Sequence, residues 1–397
     1  MLKIKNDFLI LNEENCTGCT ACENICPKNA IQLLPDKEGF AYPKINSKKC
    51  INCNLCVKIC PTKNRVATNE PLGFYAAKSL NEELRLNCSS GGIFSVIAEK
   101  IISKNGVVYG AVFDDNFNVI HQRSENNIEK FRSSKYVQSN LEGIFLQVKQ
   151  DLLNGRSVLF SGTPCQVDGL NKYLKFANVN TQNLITIDLI CHGVPSPKVW
   201  KAYLNFLLKK SKSKNKISFV NFRNKINFSW HNSTLKIIND KGVILENRTH
   251  SDSLFFKLFS NSVILRPSCH VCKYANLNRC GDITVGDFWG VDKHYPELDD
   301  NKGTSLILIN TSKGQELLKE INNEISCTQV KKENCLQPNL IGPTKEYGLR
   351  NLFLNSFSNF GFEYALKRWN FLEKNVLDKI IILPDKVFLK IKRFIKK

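Results

Sequence analysis

The sequence predicts an α+β chain in which a small cysteine-clamped unit precedes a larger α/β domain, with an added antiparallel β region and a helical C-terminal tail. Three observations predict it. Two cysteine runs of identical spacing crowd the stretch from Cys16 to Pro61. From Gly73 onward, β-branched stretches alternate with helix-period stretches, as in strands separated by crossover helices. Ile217 to Asn247 then alternates apolar and polar residues, as antiparallel strands do. The organisation expected is 1–70 for the cysteine unit, 71–140 and 141–345 for two parts of the larger domain, and 346–397 for the tail.

The runs read Cys16-Thr-Gly-Cys19-Thr-Ala-Cys22-Glu-Asn-Ile-Cys26-Pro27 and Cys50-Ile-Asn-Cys53-Asn-Leu-Cys56-Val-Lys-Ile-Cys60-Pro61. Three thiolates at this spacing wrap one face of a cubane [4Fe-4S] cluster. The fourth, just before a proline, ligates the partner cluster. The spacing therefore predicts a bacterial-type two-cluster ferredoxin domain, with Cys16, Cys19, Cys22 and Cys60 on one cluster and Cys50, Cys53, Cys56 and Cys26 on the other. Zinc is the alternative, but zinc sites pair their cysteines two by two around a loop. Between the runs, two short apolar stretches flank Asp36-Lys-Glu-Gly39, which predicts a hairpin lid over the clusters. Thr62 to Pro71 reads as a polar linker.

A chain of 397 residues is too long for a ferredoxin alone and has ample material for a core. Its sixteen cysteines follow no secretory signal, and cluster thiolates need reducing conditions, so a cytoplasmic location is expected. No apolar run reaches membrane-spanning length. The formal charge of +20 is offset in part by cluster-bound thiolates. What remains suits an acidic redox carrier of ferredoxin or flavodoxin type, or an anionic cofactor. No nucleic-acid-binding motif accompanies it, so no nucleic acid is expected as a partner.

In the larger domain, Phe74 to Lys78 reads as a strand, Ser89-Ser-Gly-Gly92 as a small-residue turn, Ile93 to Ser103 as a helix and Gly106 to Phe113 as a strand. Gly91 and Gly92 stand at a helix start, where free N–H groups and the dipole favour an anion; an ordinary serine cap is the plainer reading. Leu141 to Leu153 is an amphipathic helix, Val158 to Phe160 a buried strand, and Ser161 to Cys165 a tight turn before a helix from Gln166 to Lys175. Leu184 to Ile190 is another strand, ending in Cys191-His-Gly-Val-Pro195. Both turns fall just beyond strand ends, where open parallel sheets bind ligands. Lys209 to Lys216 is a solvated loop, and Ser253 to Phe259 a short helix. In the tail, Val387, Phe388, Ile391, Phe394 and Ile395 would line one helix face opposite lysines. Peripheral membrane contact is one reading of that face, and packing on its own domain the other.

Ser89-Ser-Gly-Gly-Ile-Phe94, Ser161-Gly-Thr-Pro-Cys-Gln166, Cys191-His-Gly-Val-Pro-Ser196 and Gly286-Asp-Phe-Trp-Gly290, with the doubled cysteine motif, closely resemble the beta-subunit family of coenzyme F420 hydrogenase and dehydrogenase. The resemblance covers about residues 1 to 300 and implies an FAD- and iron-sulfur-dependent oxidoreductase. Archaeal members of the family use a deazaflavin coenzyme, and many bacterial relatives lie among surface-polysaccharide genes. Carried onto this sequence, the resemblance implies that Ser90, Gly91 and Gly92 help hold FAD phosphates. Ser134, Lys135, Tyr136 and Gln138 would lie near the flavin, and Gly162, Thr163 and Pro164 would approach its ring. Cys88 stands where serine is more usual and reads as a buried thiol.

A third [4Fe-4S] cluster is the sharper expectation. Cys269 and Cys272 have ligand spacing but cannot complete a cubane alone. Cys165 and Cys191 lie at consecutive strand ends and match family positions. The expected ligands are therefore Cys165, Cys191, Cys269 and Cys272, with Cys280 in reserve. In the alternative, Cys165 and Cys191 line the flavin site while Cys269, Cys272 and Cys280 join His270 or a fourth thiol around zinc. His192 is a candidate proton donor or acceptor, or else a histidine bonded to backbone. Asp287 and Trp289 either shape the flavin pocket or pack the sheet. The function expected is electron transfer from a ferredoxin-like donor through clusters to FAD and on to a small organic acceptor, in surface-polysaccharide metabolism among other settings. Two alternatives stand beside it: an electron-transfer subunit without its own substrate site, and a redox sensor that binds nucleic acid. The substrate and the oligomeric state are not encoded in these motifs.

Overall fold

The computed structural model describes residues 14–65, 70–211, 215–225 and 229–372. The lysine-flanked apolar face expected at 387–395 lies outside the described residues.

Each cysteine run carries one helical turn, α1 (Ala21–Asn24) and α2 (Leu55–Ile59), entered through a left-handed residue, Thr20 at φ 64° and Asn54 at φ 60°. The stretch between the runs is the expected hairpin, β1 (Ile31–Pro35) against β2 (Ala41–Ile45). Its turn is closed by Asp36, whose Oδ1 accepts from the N–H groups of Glu38 and Phe40, both at 2.9 Å.

Strands β3 (Gly73–Ser79), β4 (Val107–Phe113), β5 (Val119–Ser124), β6 (Val158–Gly162) and β7 (Leu184–Leu189) precede three others, β8 (Ile217–Asn224), β9 (Thr234–Asn239) and β10 (Ile244–Thr249). The latter three form an antiparallel sheet of their own. Strands β11 (Ile283–Asp287), β12 (Ser305–Ile309) and β13 (Ile325–Gln329) return to the main sheet, whose order is β13-β3-β12-β11-β7-β6-β4-β5. The run β4, β6, β7, β11 is parallel. Strand β12 opposes both β11 and β3, so β3 points the same way as the parallel set. The sheet is thus mixed rather than wholly parallel, and it passes without a break across residue 140.

Helices α3 (Glu82–Leu86), α4 (Ile93–Ser103), α5 (Ile144–Leu153), α6 (Pro164–Phe176), α7 (Pro197–Lys210) and α8 (Leu254–Ser260) are among those that surround it. Apolar residues of α4 meet Val108, Leu159 and Ile307 on one face. Those of α5 and α6 meet Val107, Tyr109, Val158 and Phe160 on the other. Burial on both faces is why these strands read as continuous apolar runs.

Two local differences from expectation have simple causes. Ser161 and Gly162 belong to β6, and the turn shrinks to Thr163, because Thr163 caps α6 in a capping box with Gln166 and Pro164 starts the helix. Helix α7 is the other, an element that the sequence pattern does not mark. Ser196 caps it, accepting from Val199 N–H at 3.1 Å, and it buries Val199, Trp200, Tyr203, Leu204 and Leu207. These join Phe222, Phe255 and Phe259 in a second core. The helices at Arg350–Phe360 and Phe362–Arg368 complete that core through Phe353, Leu354, Phe357 and Phe362, so this part of the tail is structural.

Among its described residues, the cysteine unit has a small separate core cluster, Cys16, Phe40 and Tyr42. It borrows more. Ala21 and Ile59 join the apolar cluster of α5 and α6. The hairpin tip lies on the start of α7, where a side chain at Gly39 would meet Lys198 Cβ at 2.4 Å and Ser196 Oγ donates to the Glu38 carbonyl. Arg350 and Glu38, both buried, pair at 2.6 Å. Arg350→Ala strands the Glu38 carboxylate and should cost about 3–5 kcal/mol in urea denaturation, whereas replacing both residues with methionine should cost far less.

Candidate metal centres and the carboxyl edge of the sheet

Two cavities lie under the hairpin. One is lined by Cys16, Cys19, Cys22 and Cys60 and roofed by the cross-strand pair Leu33 and Pro43. The other is lined by Cys26, Cys50, Cys53 and Cys56 and roofed by Ile31 and Ile45. Each takes three thiols from one run and the fourth from the other, in the grouping the spacing requires. The first cavity is inner, with Cys16, Cys19 and Cys60 buried; the second is outer, with Cys53 exposed. Burial pushes the Cys22 thiol well above its ordinary range, and the neighbouring Cys19, Cys16, Cys60 and Cys56 push it further. Cys22 and Cys56 thus adjoin across the two groups.

Such buried thiols become thiolates only when a metal takes the proton's place. The surroundings of the inner group fit that charged state. Arg266 is fully buried. Its Nε donates to Cys16 O at 2.7 Å, its Nη2 to Ala41 O at 2.9 Å and toward Cys16 Sγ at 3.8 Å, and its Nη1 to Gln138 Oε1 at 2.9 Å. These partners include no carboxylate. A metal-held thiolate at Cys16 would lie within its reach and would supply the counter-charge that a buried guanidinium needs.

A second meeting of thiols lies deeper. Burial raises Cys165 to about 11 and Cys269 to about 12, with lesser upward pushes from neighbouring cysteines. Cys191 is raised first by burial and then by Cys269, Cys165 and Cys272. The four expected residues, drawn from α6, the loop after β7 and the loop before β11, thus feel one another's charge. Cys165 is also a neighbour of Cys19, so the inner cavity and this third group adjoin. Helix α6 runs between them, and a side chain at Gly169 would meet Cys19 Sγ at 3.0 Å.

Cys280 stands apart, with its Sγ at 3.4 Å from Pro164 O. Its loop is held by Asp188, which pairs with Arg279 at 2.9 Å and accepts from Cys280 N–H, Gly281 N–H and Thr284 Oγ1. His270 turns Nδ1 to Thr344 O at 3.1 Å. Among the described residues, no three His, Cys, Asp or Glu side chains converge closely enough for a single metal ion. His192 lies beside Thr344, Nδ1 to Oγ1 at 3.3 Å, with its ring 4.9 Å from that of Phe259. Burial lowers its pKa and favours neutral imidazole.

The expected flavin residues lie along the carboxyl ends of the parallel strands, in two places. Near the end of β3, Ser90 Oγ donates to Thr304 O at 2.9 Å and Gly91 N–H to Ser305 Oγ at 3.0 Å. Gly91 is obligatory there, because a side chain would meet Ala77 O at 2.4 Å. Gly92 caps α4 at φ +85°, and Ser134 N–H donates to Ser89 Oγ at 2.7 Å. Lys135 is half-buried, with Nζ on the carbonyls of Lys130 and Arg132, and desolvation lowers its pKa to about 7. Tyr136 packs against Phe222, Phe256 and Phe259. Gly162, Thr163 and Pro164 stand instead beside the third thiol group, and Gln138 beside Arg266. The segment from Ser134 to Gln138 joins the two places, a reach of about 13 Å for an extended chain.

Sequence reasoning missed Arg266 and Arg223. Arg223 is buried, pairs with Asp287 at 3.3 Å and lies 5.2 Å over the Trp289 ring. Among the described residues its Nε and Nη2 have no partner. Trp289 is 44% exposed and stacks on buried Trp230 at 5.1 Å. A charge set directly after Val263-Ile-Leu265 and before Pro267-Ser-Cys269 was a legible sign that Arg266 is interior.

Residues 15–64 match the 4Fe-4S dicluster domain, and residues 155–333 match the family described as the C terminus of the coenzyme F420 hydrogenase/dehydrogenase beta subunit. A solved structure, a xenon derivative of the F420-reducing [NiFe] hydrogenase complex from Methanosarcina barkeri, aligns over 76% of this chain and 91% of that chain at 16% identity, with a TM-score of 0.46. No curated protein matches.

Gly169→Val should push Cys19 off the inner cavity and lower the iron bound per chain, read by iron analysis against an unchanged far-ultraviolet spectrum. Lys135 predicts a pH effect. The unfolded lysine keeps its proton up to about 10.4, whereas in the fold it gives it up near pH 7. Stability therefore rises with pH between those values, and Lys135→Met should flatten that rise in denaturation midpoints measured across the interval.

Proposed function

For an iron-sulfur electron-transfer protein related to the beta subunit of coenzyme F420 hydrogenase, which residues 15–64 and 155–333 make this chain, we propose an FAD-dependent oxidoreductase. It passes electrons from a ferredoxin-like donor through three [4Fe-4S] clusters to a small organic acceptor. The observation that carries the reading is the series of thiol groups. They run from exposed Cys53, through the Cys22–Cys56 and Cys19–Cys165 neighbours, to strand ends at the carboxyl edge. A wire of this kind has use only if something at its inner end takes the electrons.

Cys16, Cys19, Cys22 and Cys60 hold the inner cluster, Cys26, Cys50, Cys53 and Cys56 the outer, and Cys165, Cys191, Cys269 and Cys272 the third. Ser90, Gly91, Gly92, Ser134, Lys135, Tyr136, Gln138, Gly162, Thr163 and Pro164 would hold FAD, which supplies the exchange between one-electron and two-electron chemistry. Arg223 with its unpartnered donors and exposed Trp289 add an anion contact and an aromatic shelf at the same edge. His192, neutral in its buried setting, is placed to accept or return a proton near the third group. The donor is an acidic carrier. Exposed Lys28 lines the outer cavity, and exposed Lys48, Lys49 and Lys58 lie beside its cysteines in the chain, where they would steer such a partner in a salt-dependent way.

A second reading, an electron-transfer subunit that leaves substrate chemistry to another protein, rests on the hydrogenase relationship itself. Protein purified without air separates the two. Three clusters require about twelve irons per chain, falling to about eight in Cys191→Ser; about eight in the unaltered protein would remove the third cluster. Stoichiometric FAD together with acceptor reduction by dithionite is expected of the enzyme. Clusters without flavin or turnover would leave the electron-transfer reading.

A further inference from the structure

We infer that Arg266 is a fixed positive charge that raises the reduction potential of the inner cluster, keeping that buried centre reducible from the outer one. The inference rests on the proposed ligand grouping, in which Cys16 belongs to the inner cluster and Cys53 to the outer.

Cluster potentials follow net charge, hydrogen bonds to the sulfurs and solvent exposure. Reduction adds a negative charge. Burial opposes that addition, since a desolvated site holds extra charge poorly. The inner cavity, walled by buried Cys16, Cys19 and Cys60, is at a disadvantage here against the outer one, which opens to solvent at Cys53. Left alone, an electron arriving from outside would stop at the outer cluster.

Arg266 answers this. Its guanidinium points Nη2 toward Cys16 Sγ at 3.8 Å while Nε holds the carbonyl of the same residue at 2.7 Å. It also lowers the pKa values of Cys165 and Cys269 against the push of burial, so its charge is felt by the third thiol group as well. The side chain is fixed from every side. Tyr42 and Phe40 lie under it at 4.3 and 5.4 Å, Gln138 Oε1 accepts from Nη1 at 2.9 Å, and any side chain at Gly18 would meet Nη1 at 2.9 Å. Gly18 lies inside the first cysteine run, so the motif makes room for this arginine. Among the described residues no carboxylate is one of its partners, so the charge is left to act on the cluster. The outer group has no corresponding residue among the described ones: its cavity is lined by cysteines, apolar residues, two asparagines and one lysine, Lys28, which is exposed.

The test is a redox titration of the anaerobically purified full chain, followed by electron paramagnetic resonance so that the clusters are read separately. Arg266→Gln should shift the inner-cluster midpoint to more negative potential and leave the outer midpoint unmoved. Arg266→Lys, which keeps the charge, should restore most of the shift. Gln138→Glu sets a carboxylate against the guanidinium and should also lower the inner midpoint with Arg266 still in place. An unchanged inner midpoint in Arg266→Gln with its iron retained, or an equal shift of both clusters, overturns the inference. If Arg266→Gln loses its inner cluster, Gln138→Glu decides: a lowered midpoint supports the role and an unmoved one ends it. Failure of the ligand grouping looks different, since unaltered protein would then lack one of the two N-terminal cluster signals.

Discussion

Inside a protein a charge has to be met by another charge, and Arg266 is met by sulfur. Its guanidinium touches the backbone of Cys16, the carbonyl of Ala41 in the hairpin and the amide of Gln138, and three residues later the chain reaches Cys269. One side chain thus ties the first cysteine run, the hairpin lid, the strip of chain beside the sheet edge and the third group of thiols. Without anionic sulfur on at least one side, the arrangement would bury an unanswered cation at a cost of several kcal/mol. The geometry of the relay and the charge state of its thiols are therefore a single problem, solved in one place.

The cysteine unit illustrates what such a solution replaces. Among its described residues, three make its separate core cluster, too little for independent stability. The remainder comes from α5 and α6 on one side and from α7 and Arg350 on the other. The ferredoxin motif is thus built into the larger domain as a wall of it, and the short path from Cys19 to Cys165 follows from that merger. The eight-stranded sheet does the same for the other end, lining up the ends of β3, β6, β7 and β11 so that residues far apart in sequence share one edge.

Much of this was legible from residue spacing. The swapped fourth cysteines, the hairpin, the helix at Ile93–Ser103 and the antiparallel region all follow from local periodicity, which local residues control. The expected grouping of Cys165, Cys191, Cys269 and Cys272 rested on the spacing of the last two and on the first two sitting at strand ends and family positions. The rest lay in contacts that no window contains. Nothing local says that β12 reverses the sheet or that Gly91 is glycine because the backbones of Ala77 and Ser305 come close. Helix α7 was hidden because its lysine-rich end resembles a solvated loop, and the aromatic face that holds it meets strands and helices placed later in the chain. Arg223 looks like an ordinary surface charge until its burial is known.

The exchange of the fourth cysteine between the two runs has a temporal meaning as well. On the proposed grouping, the inner cluster cannot close until the chain has been synthesised as far as Cys60, though its first three ligands are complete at Cys22. The third must wait for Cys272, more than two hundred residues further along. A ribosome therefore completes the ligand sets in the same order that the electrons later follow: the outer site first, the inner one four residues behind it, and the innermost only when much of the sheet exists to enclose it. Closing the last site and folding the large domain become one event. A chain that stalls midway would carry its first clusters exposed, with nowhere to send what they collect.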